Sequence, residues 1–522
     1  MSGLETSPPL APALPLILWN APPGLVRVLE QEGVPHLQAE PNHPAGRFVI
    51  TPRRWRSGVD WQSLGKIVLD LDQIRLEVQT LLSPQIPAYA DPFQLVIKYS
   101  PTCLTWRCDR NRIVIREQAA RWDTGLIRRA IVTVLARRLR QAGGLWIGLG
   151  CAPWPCRSVF GFRLDLDEPI PDDSTRVLDR CVATGIAPFT TVYLSTAAYF
   201  NQFDWLAQLP RWRDAGIDVQ SHGHHHYLYR EQSANHRNLV RARAILSSLG
   251  VASDHFAAPG GRWNPGLNRV LEDLAVVSSS EFALGRDDRP FRPWLASEER
   301  WSQVWQVPVH PVCEGLFLEA GHPDPEAATL DHFSKMIRAR VAQGEPVFLY
   351  GHPERRLARF PNLVKNLADE VFCHDSLWRA SPTDYLAWWR RRALVRFQVD
   401  QERDRAIVLR FKPGTLAKNM ALIVDSGDHI AHVQIRDNVM KLDPNQLRWQ
   451  PRPTLTSPEE PVARVQSRDW SVRRALRQAL DYERVTPIGE LEGWHPRTVA
   501  KRWMRRWSER RAAIPPSIGG GT

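Results

Sequence analysis

Four short clusters between residues 157 and 392 carry the side chains best suited to chemistry. The first is Arg163-Leu164-Asp165-Leu166-Asp167-Glu168. Asp165 and Asp167 stand two apart, so on a regular strand they share a face, and at a strand end both can reach one site. The second is Ser221-His222-Gly223-His224-His225-His226. His222 and His226 are four apart, a spacing at which one helical turn aims both imidazoles at one cation. Gly223 stands where the metalloprotease motif needs its Glu, which excludes that motif. Four histidines in five residues after an apolar strand favour a metal over a merely solvated loop. The third, Ala257-Ala258-Pro259-Gly260-Gly261-Arg262-Trp263, is a turn whose small residues let a backbone approach a ligand closely. The fourth, Leu349-Tyr350-Gly351-His352-Pro353, puts a histidine, structural or catalytic, at the end of an apolar run.

In order, D-x-D, H-x-x-x-H, a Pro-Gly turn and L-x-x-H, these clusters resemble the polysaccharide deacetylase family, the NodB-homology carbohydrate esterases, over about 157–392. The resemblance implies a distorted (β/α) barrel, a single divalent metal ion (often zinc in that family) and hydrolysis of an N-acyl, typically N-acetyl, group on an amino sugar. It gives Asp167, His222 and His226 to the metal and makes Asp165 the general base toward water. It makes His352 the general acid toward the leaving amine and the backbone N–H of Gly260 an oxyanion contact. The chemistry is coherent. Two imidazoles and one carboxylate leave coordination positions open for water and an acyl oxygen. Amide cleavage also needs a proton donor to nitrogen, and histidine titrates in the useful range.

The sequence departs from the family pattern in three places. Leu166 separates aspartates that are adjacent in the family, and Glu168 follows where the family has Gly; the two Asp roles can be exchanged. The arginine that orients the base is replaced by Ala257, with Arg262 as its substitute. The Asp–Trp motif that tunes the acid is represented only by Ser280-Glu281-Phe282, which makes Glu281 the candidate partner of His352. Arg262, Trp263, His310 and Tyr350 are candidate substrate contacts, with Trp263, Trp301 and Tyr350 suited to stacking on sugar rings. His224 and His225 either contact substrate or are solvated.

Positioning these residues requires alternating strands and helices. Residues 160–167, 189–194, 217–222, 255–259, 304–310 and 346–352 read as strands, with helices between them, for example 232–249 and 325–343. Such alternation predicts a parallel sheet with its polar clusters at the strand ends. Before it, residues 1–150 read as a small α/β domain: strands at 14–20, 46–52 and 93–99, a hairpin at 103–117 and a helix at 119–141. After it, 393–452 alternates in the manner of a small antiparallel β module, and 468–522 is a basic helical tail. Trp388 and Trp389, in DYLAWWRRR, read as packing residues of a helix docked on the barrel.

The chain has 522 residues, 43% hydrophobic and 24% charged, which excludes a fibrous or wholly disordered protein. Seven cysteines without a CxxC pair argue against a disulfide framework and fit a reducing compartment. The first residues lack a basic n-region, and no apolar run is long enough to span a bilayer; both point to the cytoplasm, with attachment to a membrane surface left open. The formal charge of +12 admits an anionic partner. In the tail, Val499, Trp503 and Trp507 form a stripe flanked by arginines. It suits an anionic membrane surface, nucleic acid less well, or packing on the protein itself. The leading expectation is a metal-dependent deacetylase of an amino-sugar glycan or glycan precursor. The alternatives are a non-catalytic carbohydrate-binding homologue and a nucleic-acid- or membrane-associated protein.

Overall fold

The computed structural model describes residues 14–456, apart from 41, 44–45, 57–58, 62, 108–112, 230–231, 287–288, 320–321, 402–405 and 417–418. The tail at 468–522 lies outside the described residues, as does the turn of the 103–117 hairpin.

The central unit is a curled parallel sheet of eight strands: β1 (Ser158–Leu166), β2 (Thr190–Leu194), β3 (Asp218–Ser221), β4 (His255–Phe256), β5 (Ser278–Ser279), β6 (Trp305–Gln306), β7 (Val347–Gly351) and β8 (Leu377–Arg379). The order is β6-β5-β4-β3-β2-β1-β7, with β8 pairing the start of β1, and every pairing is parallel. The curl brings the two edges together: the amide of His310, just past β6, donates to the carbonyl of Phe348 in β7 at 2.8 Å. This is a distorted (β/α) barrel. The sequence marks six of its strands, but β5 and β8 are too short to show as apolar runs, and β4 and β6 ladder over only two residues each.

β1 shows why the barrel forms. All nine of its residues are buried. Phe160, Phe162, Leu164 and Leu166 alternate toward an outer core covered by the helices Pro171–Ala183, Pro325–Gln343 and Leu363–Phe372. Burying each such side chain stabilises the fold by roughly 1.5–3 kcal/mol. The intervening Arg163 and Asp165 therefore face the barrel interior, where only a paired charge is tolerable. The helix Pro382–Arg392 packs Tyr385, Trp388 and Trp389 against the barrel, with Tyr385 stacked on Trp388 at 6.2 Å between centroids.

The N-terminal segment forms a four-stranded parallel sheet from Leu16–Leu18, His36–Gln38, Phe48–Thr51 and Ile67–Asp70. The run at 93–99 is not a strand. Asp91 caps the Phe93 amide at 2.9 Å with Pro92 in the first helical position, so Pro92–Leu95 closes as a helical turn despite its β-formers. The next helix begins at Thr124 rather than 119, because Asp123 caps it and Ala119-Ala120 still belong to a hairpin strand. The strand Trp146–Leu149, at the end of the segment read as a separate domain, pairs antiparallel with Ala421–Asp425. It thereby completes the C-terminal sheet. The rest of 393–452 is antiparallel, as its alternation predicts.

N-terminal segment and barrel are also joined by a ring of buried charges. Arg128 reaches Glu32 at 2.5 Å and Glu345 at 2.9 Å, while Arg289 reaches the same two carboxylates at 2.8 Å each. No helix among the described residues is long and apolar enough to cross a membrane.

Candidate active site

Parallel strands put all their carboxyl ends on one edge, and the four clusters gather there. Asp165 and Asp167 sit at the end of β1, His222 and His226 follow β3, the Pro-Gly turn follows β4, and His352 follows β7.

Asp167 Oδ1 lies 3.3 Å from His222 Nε2 and 3.1 Å from His226 Nε2. One ligand atom from each of the three residues falls within 4.8 Å of the others. Asp167 Oδ1 and His222 Nε2 are buried and have no hydrogen-bond partner. Such orphaned polar atoms are costly unless something fills the space between them. The ring of His222 is fixed from behind: its Nδ1 donates to the Ala257 carbonyl at 2.7 Å, which points Nε2 at Asp167. Burial lowers the pKa of His226 to about 4, with Asp167 opposing, so its imidazole is neutral near pH 7. Burial disfavours a charged Asp167, but His226, His222 and His352 together hold its carboxyl well below the usual range. Two imidazole nitrogens and a carboxylate oxygen fit a divalent cation, zinc among them.

Asp165 is held by an arginine that sequence reasoning overlooked. Arg163 Nε and Nη2 each donate to one of its carboxylate oxygens at 2.6 Å. The third guanidinium nitrogen donates to the carbonyl and hydroxyl of Ser280, at 2.7 and 3.2 Å. The fork works against burial and keeps the Asp165 pKa below its ordinary value. Arg262, the expected substitute, is half-buried beyond the turn and makes no such contact. The signal was present: Arg163 and Asp165 are two apart on one strand and must share a face.

His352 is likewise partnered by an unexpected residue. Its Nδ1 lies 3.0 Å from Glu314 Oε1, which also accepts its backbone amide at 3.0 Å. Its Nε2 faces Asp167 Oδ2 at 3.7 Å. Burial and the nearby Arg356 oppose charging, yet Glu314 raises the His352 pKa well above the usual histidine value. Glu281, the expected partner, turns the other way and accepts from the Ser279 hydroxyl and the Ala258 amide. Nothing local in the sequence marks Glu314, 38 residues from His352.

The Pro259–Gly261 turn is pinned between these groups, with Ala257 bound to His222 and Ala258 to Glu281. Gly260 and Gly261 both have positive φ, 62° and 59°. A Cβ on Gly261 would lie 2.2 Å from the Phe282 ring, so only glycine fits that position. Gly260 is exposed at the rim.

The aromatic candidates are not open platforms. Trp263 is 3% exposed and packs edge-on against Tyr99 at 4.8 Å. Tyr350 is 2% exposed, wedged between Phe282 and the Arg163 guanidinium. Both belong to buried apolar clusters. Trp301 pairs with Trp294 across a two-stranded ribbon. His310 sets its Nε2 2.9 Å from Nε2 of His332, a residue of the helix Pro325–Gln343. His224 is buried against Thr196 Oγ1 at 2.9 Å rather than solvated.

No family model matches the sequence, and no curated protein matches it. Solved structures resemble part of the chain. One, described as a polysaccharide deacetylase from Mycobacterium smegmatis, is 18% identical, with 46% of this chain and 94% of that chain covered and a TM-score of 0.38. A family 4 carbohydrate esterase from Streptomyces lividans is 14% identical, with 44% and 95% covered and a TM-score of 0.30. A pseudoenzyme of the same carbohydrate esterase family from Bacillus anthracis is 12% identical, with 44% and 65% covered and a TM-score of 0.30.

Proposed function

We propose that the chain is a metal-dependent hydrolase that removes an N-acyl group, N-acetyl in the first instance, from an amino sugar of a glycan or glycan precursor. The observation that carries this reading is the convergence of Asp167 Oδ1 with Nε2 of His222 and His226, two of those atoms buried without a partner. Asp167, His222 and His226 would hold the cation. When bound, it polarises the acyl carbonyl and makes water a stronger acid. Asp165, kept ionised by the Arg163 fork, takes the proton from the attacking water. His352, kept protonated by Glu314, gives a proton to the leaving nitrogen. The Gly260 amide, at the rim of the pinned turn, is the proposed donor to the carbonyl oxygen as negative charge develops there.

The test is metal content alongside acetate release from a panel of N-acetylated chitin oligomers and amino-sugar conjugates. We expect about one divalent ion per chain and acetate release that stops with a chelator and returns with added zinc. Acetate release that survives metal stripping would overturn the proposal. Metal binding with no turnover on any substrate would favour the non-catalytic carbohydrate-binding homologue.

A further inference from the structure

Away from the candidate active site, a groove of about 1160 Å³ runs between the end of the helix Pro23–Glu32, the end of the helix Pro382–Arg392 and the strands Phe397–Gln401 and Ile407–Phe411. It lies toward the amino-terminal edge of the barrel, since Arg392 binds the carbonyls of Leu149 and Gly150, which precede β1. Eight Lys or Arg residues line it, against a single carboxylate, Glu30. Glu30 faces Arg292 at 3.5 Å, and Arg410 is paired with Asp400 at 3.1 Å. Arg390, Arg391, Arg392, Arg396 and Lys412 form no ion pair among the described residues.

Arg392 is the telling member. Its side chain is completely buried. Nε and Nη2 donate only to backbone carbonyls, those of Gly150, Leu149 and Gln31, at 2.7–3.0 Å. Nη1 is buried with no partner. A buried cation without a counter-charge is costly, and burial pulls its pKa down to about 10. The remaining unpaired cations are exposed: Arg390 and Arg391 on the last turn of the helix Pro382–Arg392, Arg396 just after it, and Lys412 just past the strand Ile407–Phe411. Arg392 lines the groove together with these unpaired cations, and a groove lined in this way is complementary to a compact polyanion, because guanidinium forks match phosphate oxygens. The volume is of the order of small-molecule sites, roughly 300–1,000 Å³.

We propose that this groove is a second ligand site, for a phosphate- or diphosphate-bearing molecule, lined by Arg390, Arg391, Arg392 and Lys412. The phosphate comes either from a soluble organic phosphate or from a lipid headgroup. The site does not depend on the deacetylase reading, because it shares no residue with the candidate active site.

The probe is inorganic pyrophosphate, titrated calorimetrically into the full-length protein at constant ionic strength. A parallel arm sediments the protein with vesicles of phosphatidic acid in phosphatidylcholine. The comparison protein carries Arg390→Ala, Arg391→Ala and Lys412→Ala, three exposed changes whose thermal unfolding should match the parent. We expect saturable pyrophosphate binding, weakened about tenfold or more by the triple change. Sedimentation with phosphatidic acid that the triple change removes supports the site and identifies a lipid headgroup as the source; pyrophosphate binding without sedimentation supports it with a soluble ligand. Absence of both responses overturns the proposal. So does either response surviving the triple change, which would place it on another basic segment.

Discussion

Arg163 grips Asp165 through two parallel hydrogen bonds of 2.6 Å, both residues on the interior face of one strand and both almost wholly buried. The pair makes a fixed carboxylate beside the histidine cluster, with His222 Nε2 3.9 Å from Asp165 Oδ2. A lysine cannot reproduce the fork, because its single ammonium cannot address both oxygens in plane. Arg163→Lys should therefore lower kcat about 10- to 100-fold, in the range of other residues that orient a reacting group. Without the fork the Asp165 pKa rises, so the acid limb of the rate profile should move to higher pH. A variant with parental kcat and an unshifted acid limb would count against Asp165 as the base.

Asp167→Asn and His222→Ala should each reduce bound metal to a small fraction of the parent value, read by elemental analysis on dialysed protein. Acetate release should fall with the metal. His224→Ala, which removes a ring held by Thr196, should leave metal content at the parent level. Equal metal loss in all three variants would point to a damaged loop rather than a ligand set.

Glu314→Gln removes the charge that sustains protonation of His352. Burial and Arg356, which already oppose that protonation, then prevail, and the His352 pKa falls. Because the proposed acid works in its protonated form, the basic limb of kcat should move to lower pH while the acid limb stays in place. A pH profile identical to the parent's would remove Glu314 from that role.

The ring of Glu32, Arg128, Arg289 and Glu345 fastens the N-terminal segment to the barrel. Removing one charge leaves its partners buried and unbalanced, at a cost of about 3–5 kcal/mol. Glu345→Gln should lower the denaturant midpoint accordingly. Burial resists ionisation of Glu345, but Arg128 and Arg289 lower its folded pKa to about 2 from an ordinary 4.5. Its stabilisation is thus fully present above the unfolded value and is lost as the pH falls toward the folded one. Stability of the Glu345→Gln variant should change less across that interval than the parent's. Parallel pH dependences would show that Glu345 does not carry it.

Much of the barrel was legible in the sequence because its information is local. Alternating apolar runs mark parallel strands, and a polar residue just past each run must fall on the common carboxyl edge. The sequence by itself therefore determined six of the eight strands and the neighbourhood of Asp165, Asp167, His222, His226, Gly260 and His352. It also held Arg163 in plain view, at a spacing that put it on the face of Asp165. Only the tertiary structure decided what lies across the barrel from what. Glu314 meets His352 over 38 residues, Arg289 meets Glu32 over 257, and Trp146–Leu149 finds its partner in Ala421–Asp425. It also decided that Trp263 and Tyr350 are almost wholly buried and that His310 meets His332. The physical reason is one of range. Propensity and periodicity act within a few residues, whereas burial and charge pairing depend on which distant segments close over a side chain.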